Sequence, residues 1–322
     1  MADQSTEIIV VCGMLWTGSG ALGDFLFDHE GVGRINPSSF TAETAFTKGK
    51  YSLGHIYDRI KQGKAVESAD LTNLRHFMLG EANGFSPQVS ETIAYNLKRN
   101  GIVARRLGAP FRQAVDNLVS GLETATSDAE PQIRPDQFHQ ASRSFFAAFS
   151  DLIPDKQFLS YRKYLILNND PNGANVSFLD CVRSTAAFLV VRNPLDTFAN
   201  TVLRNYYTAT KPDAQTYASM IRDRIDTFIE DYRQADLGGG RLKALVFEDF
   251  VKNPEFYEAK IRKHVALGER RGNRFDPSVS MQKVGIGQSL PPDVRAHLEA
   301  KAMPTWNRLL TFLADNKISL DS

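Results

Sequence analysis

The chain lacks most of the features that would place it at a glance. It has two cysteines, Cys12 and Cys181, both in or beside apolar segments. They offer no disulfide framework and read as buried free thiols in a reducing compartment. There is no excess of either charge: 38 Lys and Arg against 37 Asp and Glu leave +1. That removes bulk attraction to a polyanion such as nucleic acid and makes any basic site local. No apolar run approaches the length of a membrane span. The amino terminus, MADQSTE, has acidic residues and no basic stretch, so no secretory signal is predicted. Internal repeats and low-complexity segments are absent too. What remains is a cytoplasmic protein of ordinary globular composition, 42% apolar and 23% charged. A length of 322 residues suffices for one large α/β domain or two smaller ones.

The most informative stretch runs from Glu7 to Glu30, EIIVVCGMLWTGSGALGDFLFDHE. Ile8 to Cys12 is a short apolar run rich in β-branched residues and cut off by Gly13, which predicts a strand buried on both faces of a parallel sheet. Gly13 to Gly20 then forms a loop with glycines and two hydroxyls, Thr17 and Ser19. Beyond it Ala21, Leu22, Phe25, Leu26 and Val32 recur at helical spacing. Strand, glycine loop and helix together present backbone N–H groups and a positive helix end to a phosphate. A tight turn without a ligand would have the same pattern.

What the loop lacks narrows its ligand. Gly13 and Gly18 have the spacing of a nucleoside triphosphatase loop, but Ser19 stands where that loop has its lysine. No GxGxxG follows the strand, which argues against a dinucleotide fold. The loop suits a phosphate-like group, without machinery for magnesium and a γ-phosphate. No metal is expected.

Further along, Gly31 to Lys50 reads as a polar loop in which Glu43 is the acid of most interest, either functional or a solvated surface residue. Tyr51 to about Thr126 is mostly helical, with Leu71, Leu74, Phe77 and Met78 on one face and breaks at Gly84–Pro87 and at Gly108-Ala109-Pro110. Arg105-Arg106 reads as a solvated basic turn or as a pair aimed at an anion. Tyr164 to Leu167 and Ala187 to Val191 are further buried strands. The latter stops at Arg192-Asn193-Pro194, where Pro194 suits the first turn of a helix. An arginine at such a strand end sits where open α/β sheets hold ligands; the alternative is an arginine paired to a nearby acid. Ala218 to Ala235 is a charged amphipathic helix, Leu242 to Phe247 a strand, Gly272 to Ser280 irregular, and Lys283 to Gly287 a basic glycine loop before a last helix.

Three separated blocks together resemble the sulfotransferase family, which uses 3′-phosphoadenosine 5′-phosphosulfate as sulfuryl donor. The strand followed by GMLWTGSGALGDFLFDHEGV is similar to that family's 5′-phosphosulfate loop and helix, commonly GMPRSGTTLL…LxxHPGV. FLVVRNPLDTFAN, from Phe188 to Asn200, is similar to its 3′-phosphate block, a strand followed by RDPRDxxxS. LVFEDFVKNP, from Leu245 to Pro254, resembles its strand YEDLxxxP. The resemblance implies an α/β fold, a central mostly parallel sheet flanked by helices and P-loop-like, forming a single domain over 1–322 with a helical insertion at about 51–155.

It also implies roles for residues. Trp16, Thr17, Gly18, Ser19, Gly20 and Ala21 would lie against the 5′-phosphosulfate. Arg192, Asn200 and Lys283 would face the 3′-phosphate. Two positions depart from the pattern: Asn200 replaces a serine, and Trp16 replaces the basic residue that neutralises charge on the departing nucleotide. A lost donor at such a place costs on the order of 3 kcal/mol. Lys48, Arg105 and Arg204 are candidates for the missing cation. Glu43, with His55 as alternative, is the candidate base for the acceptor's proton, and His29 matches a structural histidine at the helix end. The expected activity is sulfuryl transfer to a hydroxyl of a carbohydrate or other small metabolite, leaving adenosine 3′,5′-bisphosphate. The alternatives are a kinase-like nucleotide-binding enzyme and a non-catalytic nucleotide-binding homologue.

Overall fold

A computed structural model describes residues 7–14, 17–34, 46–47, 49–85, 90–125, 132–153, 164–168, 176–182, 184–203, 212–235 and 240–320. In chain order its elements are β1 (Glu7–Gly13), α1 (Ser19–Phe27), β2 (Val32–Arg34), α2 (Leu53–Lys61), α3 (Ser68–Leu79), α4 (Glu91–Ala125) and α5 (Pro135–Leu152). There follow β3 (Tyr164–Asn168), β4 (Ser184–Val191), α6 (Pro194–Leu203), α7 (Ala214–Gln234), β5 (Leu242–Val246), α8 (Phe247–Lys252), α9 (Pro254–Ile261), α10 (Pro277–Met281), α11 (Pro292–Lys301) and α12 (Met303–Asp315). The strands form a five-stranded sheet in the order β2-β3-β1-β4-β5, with β2 parallel to β3 and β4 parallel to β5. The chain is therefore α/β, a central parallel sheet flanked by helices, as its residues predict. Ile9, Val10 and Val11 of β1 and Ala187 to Val191 of β4 are fully buried, which is why both runs are apolar throughout and do not alternate.

Packing divides the chain into two units. One comprises Met1–Ile9, Gly31–Pro171 and Phe178–Ser184, the other Val10–Glu30, Asn172–Ser177 and Thr185–Ser322. The first is held by an aromatic cluster. Phe46, Phe111 of α4, and Phe145 and Phe149 of α5 are buried with ring centroids 5.3 to 6.2 Å apart. Each buried ring contributes roughly 1.5–3 kcal/mol, with edge and stacking contacts adding to that. The expected break at Gly108-Ala109-Pro110 is present: Gly108 takes φ 67 inside α4. Arg105 and Arg106 precede that break and lie exposed on α4 itself, not in a turn.

In the second unit Phe25, Phe250 and Phe275 meet at 5.0 to 5.6 Å. The buried Asp28 carboxylate accepts the N–H groups of Arg274 and Phe275 at 2.9 and 3.1 Å, and its carbonyl accepts those of Arg271 and Gly272. His29, fully buried, has Nδ1 3.0 Å from the Phe25 carbonyl. Cys12 and Cys181 are both buried free thiols.

Several local expectations need correction. Val32 does not continue the first helix, and Gly31 to Lys50 is not loop throughout. α1 stops at Phe27, Gly31 turns the chain at φ 76, and Val32 pairs with Tyr164 in β2. The strand has three residues, too few to show a period. Between α8 and α9 Asn253 leaves helical geometry at φ −134 and ψ 59, and Pro254 opens the second of these helices. The stretch from Gly272 to Ser280, expected to be irregular, contains most of α10. Asp276 caps it by accepting the N–H groups of Ser278 and Val279, with Pro277 in the first turn. The final helix is two, α11 and α12, with Pro304 near the start of the second. Among the described residues no helix is long and apolar enough to cross a membrane.

Candidate functional site

The first corner lies between β1 and α1. Gly18 takes φ 94, a left-handed conformation, and its carbonyl accepts the N–H groups of Ala21 and Leu22. As a glycine it contributes no side-chain cap, and the first turn of α1 carries no acid. The positive end of the helix thus keeps no built-in counter-charge of its own. Thr17 is buried and its Oγ1 accepts the Met14 N–H at 3.3 Å. Ser19 is buried, whereas Gly20 is exposed and a Cβ there would meet nothing within 4 Å.

The second corner lies between β4 and α6, and the sheet register builds it. Val191 is level with Val246 across the β4–β5 pair, so Arg192 and Phe247 leave the sheet side by side. The Arg192 guanidinium lies over the Phe247 ring, 4.9 Å from its centroid, and is 3% exposed with its side chain. Its Nη2 donates to the Lys283 carbonyl, and its Nε is 3.8 Å from Glu248 Oε1. The Phe247 ring also fills the space beside Gly18, where an added Cβ would come within 2.2 Å of it. One ring therefore touches both corners.

The turn around Arg192 is closely tied. Asn193 donates its N–H to Glu248 Oε1 at 3.1 Å, and its Oδ1 accepts the Leu195 N–H at 2.9 Å. The Asp196 carboxylate accepts the N–H groups of Gly285 and Gly287 at 2.7 and 2.8 Å. This fixes the basic glycine loop against the start of α6, with Gly285 in the left-handed region at φ 77. The loop meets Arg192 through the Lys283 main chain.

Burial pushes the Glu248 carboxyl above its ordinary value, against the lowering effect of the main-chain N–H groups and of Arg192. A carboxyl raised on folding holds its proton more tightly in the native state than in the unfolded chain. The stability it contributes is complete below pH 4.5 and is lost as pH rises through the raised native value. Glu248→Gln should remove that part of the pH dependence. Urea unfolding at a series of pH values from 4 upward should show wild type losing stability relative to Glu248→Gln across this window; parallel curves would contradict the assignment.

Both corners line one cavity of about 20 Å³, room for about one water. Met14 and Thr17 come from the first corner; Arg192, Pro194 and Thr197 come from the second. Ile221, Arg224 and Ile225 of α7 and Trp306 and Leu309 of α12 complete it. Asn200 lies further along α6, buried, and its Oδ1 has no hydrogen-bond partner among the described residues; it does not line this cavity.

His55 belongs to the first unit, on α2, where its backbone N–H donates to the Ser52 hydroxyl at 3.2 Å. Burial, with Arg59 nearby, lowers its imidazole below the usual histidine value, keeping it in the neutral form that takes a proton. Trp16, Glu43, Lys48 and Arg204 lie outside the described residues. Among the described residues no group of three or more His, Cys, Asp and Glu could hold a metal ion.

Two residues that shape these corners, Phe247 and Asp196, carry no sequence signal of that role. The first depends on strand register and the second on a distant loop.

No protein-family model matches the chain, and no curated protein matches it either. Among solved structures the chain is similar to the sulfotransferase domain from the Synechococcus PCC 7002 olefin synthase, at 16% identity and a TM-score of 0.44, with 95% of this chain and 94% of that one covered.

Proposed function

We propose that the chain binds 3′-phosphoadenosine 5′-phosphosulfate and transfers its sulfuryl group to a hydroxyl of a carbohydrate or other small metabolite. The observation that carries this reading is the pair of corners, an uncapped glycine helix start and a strand-end arginine, that the Phe247 ring joins. Such corners suit the two anionic ends of a single nucleotide. The residues fit the group: α1 offers its first turn to the 5′ end, and Arg192 offers a planar fork to the 3′-phosphate. Lys283 and Asn200 belong with Arg192 in this reading, and Trp16, Thr17, Gly18, Ser19, Gly20 and Ala21 with the 5′ end.

The bound donor supplies an activated sulfuryl group whose transfer leaves negative charge on the 5′-phosphate. The N–H groups at the start of α1 would stabilise that charge electrostatically. Glu43, or His55 in its neutral form, would take the proton of the acceptor hydroxyl as its oxygen bonds to sulfur. A triphosphate-using kinase is the weaker alternative, since Ser19 stands where such a loop needs lysine and a triphosphate has no 3′-phosphate for Arg192.

Calorimetric titration tests the reading. Adenosine 3′,5′-bisphosphate should bind at micromolar Kd without magnesium, and ATP with magnesium should bind more weakly. Preference for ATP with magnesium would transfer the case to the kinase reading, and no binding of either would end the nucleotide reading. Transfer of labelled sulfate to a hydroxyl acceptor separates an enzyme from a protein that binds only.

A further inference from the structure

We propose that Glu248 is a proton-linked positioning residue of the 3′ corner: it takes up a proton when a phosphate pairs with Arg192. This rests on the nucleotide reading above and goes beyond it by giving the acid beside Arg192 a part in ligand binding.

The two oxygens of Glu248 are unequally placed. Oε1 is 3.8 Å from Arg192 Nε and accepts the Asn193 N–H at 3.1 Å. Oε2 is buried and has no hydrogen-bond partner among the described residues. The charged groups that act on this carboxyl are Arg192, at the end of β4, and Asp196 of α6. Asp249, next along α8, is exposed, and Lys283 meets Arg192 through its carbonyl. Asp196 has a main-chain donor on each oxygen, Gly285 on Oδ2 and Gly287 on Oδ1. Of these two acids, Glu248 is therefore the one with an oxygen left for a proton.

Charge gives the direction of the effect. Burial already favours the neutral form of Glu248, against the main-chain N–H groups and Arg192, which favour the charged one. A phosphate carries about −1.5 to −2 charge at pH 7, more than one guanidinium offsets. Brought to Arg192, it takes a share of that cation and repels a carboxylate beside it. Two anions against one buried cation favour protonation of the one that can accept a proton. In the complex the carboxyl thus holds its proton more tightly than in the free protein. The gain in binding is complete below the free-protein value and is lost as pH rises through the value in the complex.

The test counts protons calorimetrically, by titrating wild type and Glu248→Gln in buffers of different ionisation heat between about pH 5 and 7. Protons exchanged by the phosphate itself are common to both proteins and cancel in the difference. With adenosine 3′,5′-bisphosphate, wild type should take up roughly half a proton or more beyond Glu248→Gln. With adenosine 5′-monophosphate the two should agree. At about pH 8, Glu248→Gln should bind the bisphosphate about tenfold more tightly than wild type, and the ratio should close as pH falls. Equal proton counts with the bisphosphate, or the same excess with the 5′-monophosphate, would overturn the assignment while leaving the nucleotide reading standing. Failure of wild type to bind the bisphosphate would remove that reading and this inference together. Should Glu248→Gln not fold, difference infrared spectroscopy on wild type decides: the bisphosphate should raise the band of a protonated carboxyl, and its absence would overturn the assignment.

Discussion

Arg192→Ala should cost the fold about 3–5 kcal/mol, because it strips a buried carboxylate of its guanidinium partner. Glu248 is left in a pocket where burial already disfavours its charge, and the Phe247 ring loses the cation above it. Urea unfolding should show the loss, and Glu248→Gln added to Arg192→Ala should recover part of it. A double variant no more stable than Arg192→Ala alone would mean that the carboxylate is not the source of the penalty. The ligand side gives a second, independent result. Arg192→Ala should weaken adenosine 3′,5′-bisphosphate about a hundredfold and adenosine 5′-monophosphate little, since a bidentate charged contact is worth roughly 3 kcal/mol. Equal losses for both nucleotides would withdraw Arg192 from the 3′-phosphate.

Gly18→Ala should destabilise the protein by about 3 kcal/mol. Two costs combine: a side chain at φ 94 is strained by roughly 1–2 kcal/mol, and the new Cβ collides with Phe247. Gly20→Ala is the internal control. The same atom two residues later meets nothing within 4 Å, and alanine is the better helix former. Gly20→Ala should therefore be neutral or mildly stabilising. Thermal unfolding of both variants decides the matter; similar melting temperatures would show that the corner tolerates a side chain and that Phe247 is not seated against it.

These two corners were legible in the sequence because their signals are local. A run such as Ile8 to Cys12 stopped by glycine, or Ala187 to Val191 stopped by Arg192-Asn193-Pro194, carries its own boundaries. The sheet and most helices followed for the same reason. β2 was not legible, since a three-residue strand has no period and depends on β3, far away in the chain, for its hydrogen bonds. The cavity wall was hidden as well. It takes Trp306 and Leu309 from α12 and Arg224 from α7, and nothing near either helix announces an anion. Phe247 could be read as a strand end, but its place under the Arg192 guanidinium follows from register between β4 and β5.

The short reach between Arg192 and Glu248 has a consequence for how an anion would be exchanged. The Arg192 guanidinium already has an intramolecular counter-ion beside it, Glu248 at 3.8 Å. A phosphate arriving there swaps with a carboxylate of the fold itself, and mobile ions from solution are not the ones released. Affinity at that end is accordingly less sensitive to ionic strength than at a solvated arginine, where screening over a Debye length of about 10 Å governs the attraction.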